Sequence, residues 1–292
     1  MKQRILTGIL FALVVAAFII PGFWTIWPPI IFLSGVAVVA ALEIDGAMRA
    51  CSRKPCRSLV VAGSLFMLLP LLAGMLHPET NPLMASGFAL GLTLFFLALF
   101  SGISSIIRLL IDGPASFPDA LATGGIMLYI AFPLSCAMLL VSQMPDGFIW
   151  LIIGLSAPWV SDVFAYFSGS LLGRRQIVPR LSPKKTIEGS LGGIVGSILS
   201  QLVVFYLFRD WFGRPDLPSS TVFLFAILTG LLLSVFSQLG DWLASGFKRY
   251  CGVKDFGSVL PGHGGLMDRF DSVFFTLPIA AFLAILYQVI GT

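Results

Sequence analysis

Nine stretches of this chain are each long and apolar enough to cross a bilayer, and that constrains the fold more than any other feature. They are residues 5–22, 25–43, 58–77, 84–101, 120–142, 147–170, 189–208, 221–245 and 270–290. A helix needs roughly 20 mostly apolar residues to span the hydrocarbon. Backbone groups in lipid must pair within their own segment, so runs of this length are predicted as helices. Charge is scarce to match: 11% of residues are charged, against about 25% in soluble domains. The expected fold is an all-α polytopic integral membrane protein with about nine transmembrane helices. The opening "MKQRILTGILFALVVAAFII" has the charge-then-apolar form of a signal peptide. No small-residue cleavage site follows, so it reads as a retained first span.

Basic residues set the orientation. With the N-terminus in the cytoplasm, sixteen of the 18 Lys and Arg fall on the cytoplasmic side, leaving only Arg209 and Arg214 outside. The positive-inside rule therefore predicts a cytoplasmic N-terminus and an outside C-terminus. The net charge of +4 reads as topology. No aromatic-interleaved basic patch is visible, so nucleic acid is not an expected partner. Cys51 and Cys56 share a basic loop and Cys136 lies in an apolar run; without zinc spacing they read as free thiols. No internal repeat is visible. Two regions are expected. Residues 1–145 form about five spans with few polar groups, and residues 146–292 form about four spans with cytoplasmic loops at 171–188 and 246–269.

An Asp at a helix centre costs about 2.5–3.5 kcal/mol on insertion scales, yet two spans carry one toward their cytoplasmic ends. In the sixth, Asp162 has Ser161 beside it and Tyr166 one turn on. In the eighth, Ser234, Gln238, Asp241 and Ser245 form one stripe. A helix-packing hydrogen-bond seam accounts for the serines. It does not account for Asp241, whose carboxylate needs a cation. At the start of the ninth run, "GHGGLMDRFDS" places Asp268 and Asp271 three apart, able to share a helix face. Its glycines let backbone N–H groups approach an anion. The plain alternative is a glycine turn, a capping Asp268 and an Arg269 anchored at the headgroups. That alternative leaves Lys248, Arg249, Lys254, Asp255 and His263 in the same loop unexplained. Carboxylates with several Lys and Arg suit a nucleotide phosphate site. Mg²⁺ takes one or two carboxylates and completes its shell with phosphate and water, and Lys and Arg neutralise the remaining oxygens. "RLSPKKTIEGS" offers Lys184 and Lys185 for the same purpose, or simply as topogenic charge.

Residues 245–272, "SGFKRYCGVKDFGSVLPGHGGLMDRFDS", resemble the signature of the phosphatidate cytidylyltransferases, also called CDP-diacylglycerol synthases. The pattern is met without departure by Ser245, Lys248, Arg249, Lys254, Asp255, His263, Gly264, Gly265, Asp268, Arg269 and Asp271. "SDVFAYFSGSLLGRR" and "SPKKTIEGSLGG" resemble other polar segments of that family, whereas the N-terminal spans resemble it only in being apolar. The resemblance implies that CTP and phosphatidate give CDP-diacylglycerol and pyrophosphate, with Mg²⁺ required, alone or with a second cation. It also implies a bacterial inner-membrane location with the site facing the cytoplasm. On this reading Asp241 and Asp268 hold metal, with Asp271 a third candidate. Lys248, Arg249, Lys254 and Arg269 bind triphosphate or the lipid headgroup, and His263 donates to a phosphate oxygen or stabilises the turn. Lys184 and Lys185 close over the phosphates, with Ser182, Thr186, Gly264 and Gly265 in the substrate-binding set. The expected partners are CTP, phosphatidate and membrane lipids, and a homodimer is the candidate assembly. The rival readings are a CDP-archaeol synthase, a polyprenol kinase, a CDP-alcohol phosphotransferase (whose motif is absent) and an ion-coupled transporter.

Overall fold

The computed structural model describes residues 2–76, 82–144, 146–212 and 217–290, and among these nine helical stretches are long and apolar enough to cross a membrane. They are built from α1 (Lys2–Ile19), α2 (Trp27–Ala50), α3 (Arg57–Ser64), α4 (Leu69–Leu76), α5 (Pro82–Asp112), α6 (Phe117–Gln143), α7 (Gly147–Leu172), α8 (Ile187–Leu207), α9 (Ser219–Cys251), α10 (Met267–Phe270) and α11 (Val273–Val289). Among the described residues there is no strand, only single bridges at Gln176–Thr186 and Leu260–Gly264. The all-α polytopic expectation holds. Arg214 and residue 77, used in the sequence reading, lie outside the described residues.

Several helices outrun their apolar windows. α2 continues to Ala50, α5 to Asp112 and α9 to Cys251. Arg49 in the last turn of α2, and Lys248 and Arg249 in that of α9, favour continuation because cations complement a helix C-terminus. The extension of α2 adds Asp45 to a face on which Glu43, the last residue of the predicted run, is also buried. The third run is not one helix, because a 3₁₀ segment at Leu65–Leu68 joins α3 to α4. Pro70 follows it and has no N–H to bond back to Phe66, while its carbonyl accepts from Gln143 Nε2 at 2.7 Å. The ninth run opens as the one-turn α10, then turns at Asp271 and Ser272 before α11.

The chain divides into two compact units. The first comprises residues 1–143 and 247–270. Its interior is lined by Leu33, Val36, Ala37 and Ala40 of α2 and by Ile130, Leu134 and Ala137 of α6, all essentially inaccessible. Leu6, Leu10 and Leu13 of α1 are exposed, as a lipid-facing surface requires.

The second unit comprises residues 144–246 and 271–292. In it α8 lies close against α7 because Gly189, Gly192, Gly193 and Gly196 present no side chains there. A Cβ at Gly192 would overlap Ser168, and one at Gly196 would overlap the Phe164 ring. Small residues that let backbones approach are the usual means of packing helices where lipid supplies no hydrophobic drive. Pro158 interrupts the ladder of α7 and leaves the Gly154 carbonyl without its usual donor. Thr276 Oγ1 of α11 donates to that carbonyl at 2.6 Å. Trp150 sits in an aromatic cluster with Phe205, Phe212, Phe225 and Tyr287, at ring separations of 5.7, 5.7, 6.2 and 6.0 Å.

Candidate functional site

In the second unit α7, α8, α9 and the segment before α8 enclose a cavity of about 450 Å³. Asp162, Tyr166, Ser182, Lys184, Lys185 and Asp241 all line it. Lys185 Nζ forms an ion pair with Asp241 Oδ2. The segment carrying the lysines is folded by its own backbone. Ile177 N–H donates to the Lys185 carbonyl at 3.0 Å, and Ile187 N–H to the Arg175 carbonyl at 2.8 Å. Thr186 then caps α8, its Oγ1 accepting from Gly189 N–H at 3.1 Å. Glu188 accepts from the N–H groups of Arg174 and Arg175 at 3.0 and 3.3 Å. These bonds tie both ends of the lysine segment to the head of α8.

The polar stripe of α9 acts as a seam at its upper positions. Ser234 Oγ lies 2.8 Å from Ser161 Oγ. Gln238 Nε2 donates to the Ser190 carbonyl at 3.2 Å and to Ser234 Oγ at 3.3 Å, while its Oε1 accepts from Ser190 Oγ. Asp241 continues the stripe but faces the cavity. The seam and the functional lining are therefore successive parts of one helix face. Also in this unit, Asp271 is buried and its Oδ1 accepts from Ser272 N–H at 2.7 Å.

In the first unit the loop after α9 is organised around Asp268. Its Oδ1 accepts from Lys248 Nζ at 2.7 Å. Its Oδ2 accepts from Phe256 N–H at 2.8 Å and Gly265 N–H at 2.9 Å. Lys248 Nζ also lies 5.1 Å from the centre of the Phe256 ring, within cation–π range. The turn at 260–264 closes through Leu260 N–H to the Gly264 carbonyl and His263 N–H to the Leu260 carbonyl, both at 2.9 Å. Gly262 and Gly264 hold φ of +78° and +83°, which side chains disfavour. Arg269 Nη2 donates to the His263 carbonyl at 2.6 Å. His263 Nδ1 is buried without a hydrogen-bond partner among the described residues, and its ring lies beside Gly8 of α1. Arg249 and Lys254 are exposed.

The structure thus brings Ser182, Lys184, Lys185, Thr186 and Asp241 around one cavity in the second unit. In the first it gathers Lys248 from the end of α9, His263, Gly264 and Gly265 from the loop, and Asp268 and Arg269 from α10. Sequence reasoning missed Glu43. This residue of α2 is 8% exposed, and its Oε1 and Oε2 accept from Leu266 N–H at 3.0 Å and Met267 N–H at 2.7 Å. An acid at the end of an apolar run, followed two residues on by Asp45, was the available signal. Among the described residues no three His, Cys, Asp or Glu side chains converge as a metal cage. The Asp241 carboxylate suits a hard cation that takes one or two carboxylates and leaves the rest of its shell to phosphate and water. Asp241 lines an open cavity, and Asp268 is held by fixed N–H donors.

The model of the cytidylyltransferase family matches residues 2–287. Three curated proteins named phosphatidate cytidylyltransferase are similar over about half of the chain. That of Staphylococcus haemolyticus is 41% identical over 140 residues, 48% of this chain and 50% of its own length. That of Staphylococcus saprophyticus is 40% identical over 148 residues, 51% of this chain and 54% of its own length. That of Staphylococcus epidermidis is 44% identical over 140 residues, again 48% and 50%. The chain spans about half the length of the curated relatives it matches.

Proposed function

The chain belongs to the cytidylyltransferase family, and on that premise we propose that it transfers the CMP part of CTP to phosphatidate, releasing pyrophosphate. A phosphatidate oxygen, anionic near neutral pH, forms a bond to the α-phosphorus of CTP. The bond from that phosphorus to the oxygen bridging to the β-phosphate breaks, and pyrophosphate leaves with the electron pair. No strong general base is needed. The barrier is the approach of two anions, which fixed cations lower by positioning and charge stabilisation.

The observation that carries this reading is the cavity in the second unit, where Asp162 and Asp241 of two largely apolar helices meet Lys184 and Lys185 of the segment before α8. Lys184 and Lys185 bind phosphate oxygens, and Ser182 and Thr186 hold the segment that presents them. Lys248, Arg249, Lys254 and Arg269 bind triphosphate or the phosphatidate headgroup, and His263 donates to a phosphate oxygen. Asp241 and Asp268 are the carboxylates for Mg²⁺, with Asp271 a third candidate. When bound, the ion supplies a Lewis acid that neutralises charge on the reacting phosphates. The sixteen-to-two distribution of Lys and Arg supports a cytoplasmic N-terminus and a site facing the cytoplasm, where water-soluble CTP meets a lipid that stays in the bilayer.

The test uses the full chain in mixed micelles with phosphatidate, radiolabelled CTP and Mg²⁺. Label should enter lipid, stop on chelation and return with added Mg²⁺. Asp241→Asn should abolish it. No labelled lipid from the folded wild-type chain would end this reading. Labelling of polyprenol or an archaeal ether lipid in preference to phosphatidate would redirect it.

A further inference from the structure

Glu43 is a carboxylate buried in a membrane helix of the first unit, and nothing in the proposed chemistry uses it. Burying a carboxyl without hydrogen bonds is costly, and a cytoplasmic-end helix position could have been filled by leucine. Its two oxygens instead accept the N–H groups of Leu266 and Met267 at 3.0 and 2.7 Å. Those amides open α10, where helix geometry leaves N–H groups without partners. The two bonds reach across 223 and 224 residues of sequence. The next residue, Asp268, receives Phe256 N–H, Gly265 N–H and Lys248 Nζ. Successive amides of one short segment are thus divided between two carboxylates: Gly265 goes to Asp268, and Leu266 and Met267 go to Glu43.

Two glycines complete the arrangement. A Cβ on Gly257 would overlap Glu43 Oε1, and one on Gly265 would overlap both Glu43 oxygens. Neither glycine has a positive φ, so space, not backbone conformation, is what they supply. The loop closes on the Glu43 carboxylate from both sides.

We propose that Glu43 is a positioning residue: from the second span it fixes the backbone at 265–267 and so sets where the Asp268 carboxylate and its Lys248 partner stand. This rests on the reading of Asp268 as part of the active site. The role needs two acceptor oxygens. Gln, although isosteric, offers one acceptor and turns an N–H₂ donor against the other amide.

The experiment pairs turnover with hydrogen exchange in the full chain. Glu43→Ala should lower kcat about 10²-fold, the scale of a 1 Å misplacement, and Glu43→Gln about tenfold. KM for CTP should stay within about threefold, since the loss falls on the reacting geometry. Exchange across residues 255–268 should accelerate in both variants while α6 stays protected. Gly257→Ala should lower kcat in the wild-type background and add little to Glu43→Ala, because the atoms its Cβ would strike are gone. Multiplicative losses in that cycle, or a Glu43→Gln protein with wild-type exchange at 255–268, would overturn the proposal. The exchange readout stands without turnover. A wild-type chain that makes no labelled lipid therefore defeats the functional reading alone, while unchanged exchange defeats the positioning role alone. If Glu43→Ala fails to fold, Glu43→Gln decides.

Discussion

Asp241 and Asp268 are both proposed to be needed for turnover, but the structure predicts that they differ sharply in stability. Asp268→Asn removes the partner of a Lys248 ammonium whose side chain is 16% exposed, from a carboxylate that is 5% exposed. Breaking a buried pair from one side costs about 3–5 kcal/mol. Lys248 keeps its position over the Phe256 ring in both proteins, so that contact does not offset the loss. The net expectation is a loss of about 3–5 kcal/mol. The Asn amide also cannot replace both oxygens, since its N–H₂ would face either Lys248 or the two backbone donors. Lys185 and Asp241 are 31% and 25% exposed. A pair that wet contributes about 0–1 kcal/mol, so Asp241→Asn should unfold close to wild type. Equilibrium unfolding in mixed micelles, read beside CTP incorporation, tests this. Both variants should be inactive and only Asp268→Asn markedly weaker. Adding Lys248→Met to Asp268→Asn should recover more than half of the lost stability, because an apolar replacement of the whole pair removes the stranded charge. An Asp268→Asn protein as stable as wild type, or an Asp241→Asn protein equally weakened, would refute the reasoning.

Thr276→Val should destabilise the second unit by about 1 kcal/mol, with an upper bound near 2, by orphaning the Gly154 carbonyl below Pro158; unfolding measurements on that single variant check it. Cys51 Sγ and Cys251 Sγ lie 3.2 Å apart. Copper–phenanthroline should therefore oxidise the two thiols to an intrachain disulfide, seen as a linked peptide pair by mass spectrometry, and linkage through Cys56 alone would contradict that contact. Burial pushes the Asp146 carboxyl above its ordinary value of 3.8, against an opposing hydrogen bond with Gln288. The folded state then binds that proton more tightly than the unfolded one. Stability from this group is present at low pH and lost as pH rises from 3.8 through the raised folded value. Asp146→Asn should flatten that limb and unfold later than wild type near neutral pH.

The spans were legible because lipid demands long apolar runs, and the α9 stripe because serine, glutamine and aspartate recur on one face. Their partners were not legible: nothing near Ser234 or Gln238 in sequence points to Ser161 or Ser190. The loop motif announced chemistry, but not that Asp268 would be bonded to three donors. Glu43 shows the limit most plainly. The predicted run ends at residue 43, and nothing around Glu43 in sequence says why an acid should be buried there. Its reason for being buried lies in amides near the other end of the chain. The break at Leu65–Leu68 was likewise hidden, since Pro70 within an apolar run can kink a helix, end it or be absorbed.

The bond between Glu43 and Met267 also orders events in time. At about 5–20 residues per second, the 223 residues separating Glu43 from Leu266 take tens of seconds to synthesise. Throughout that interval the newborn second helix carries an acid whose final partners do not yet exist. A nascent chain cut off before the last helix would keep that acid unsatisfied in the membrane. Incomplete copies therefore carry a built-in mark of being unfinished, which completion of the C-terminal loop erases.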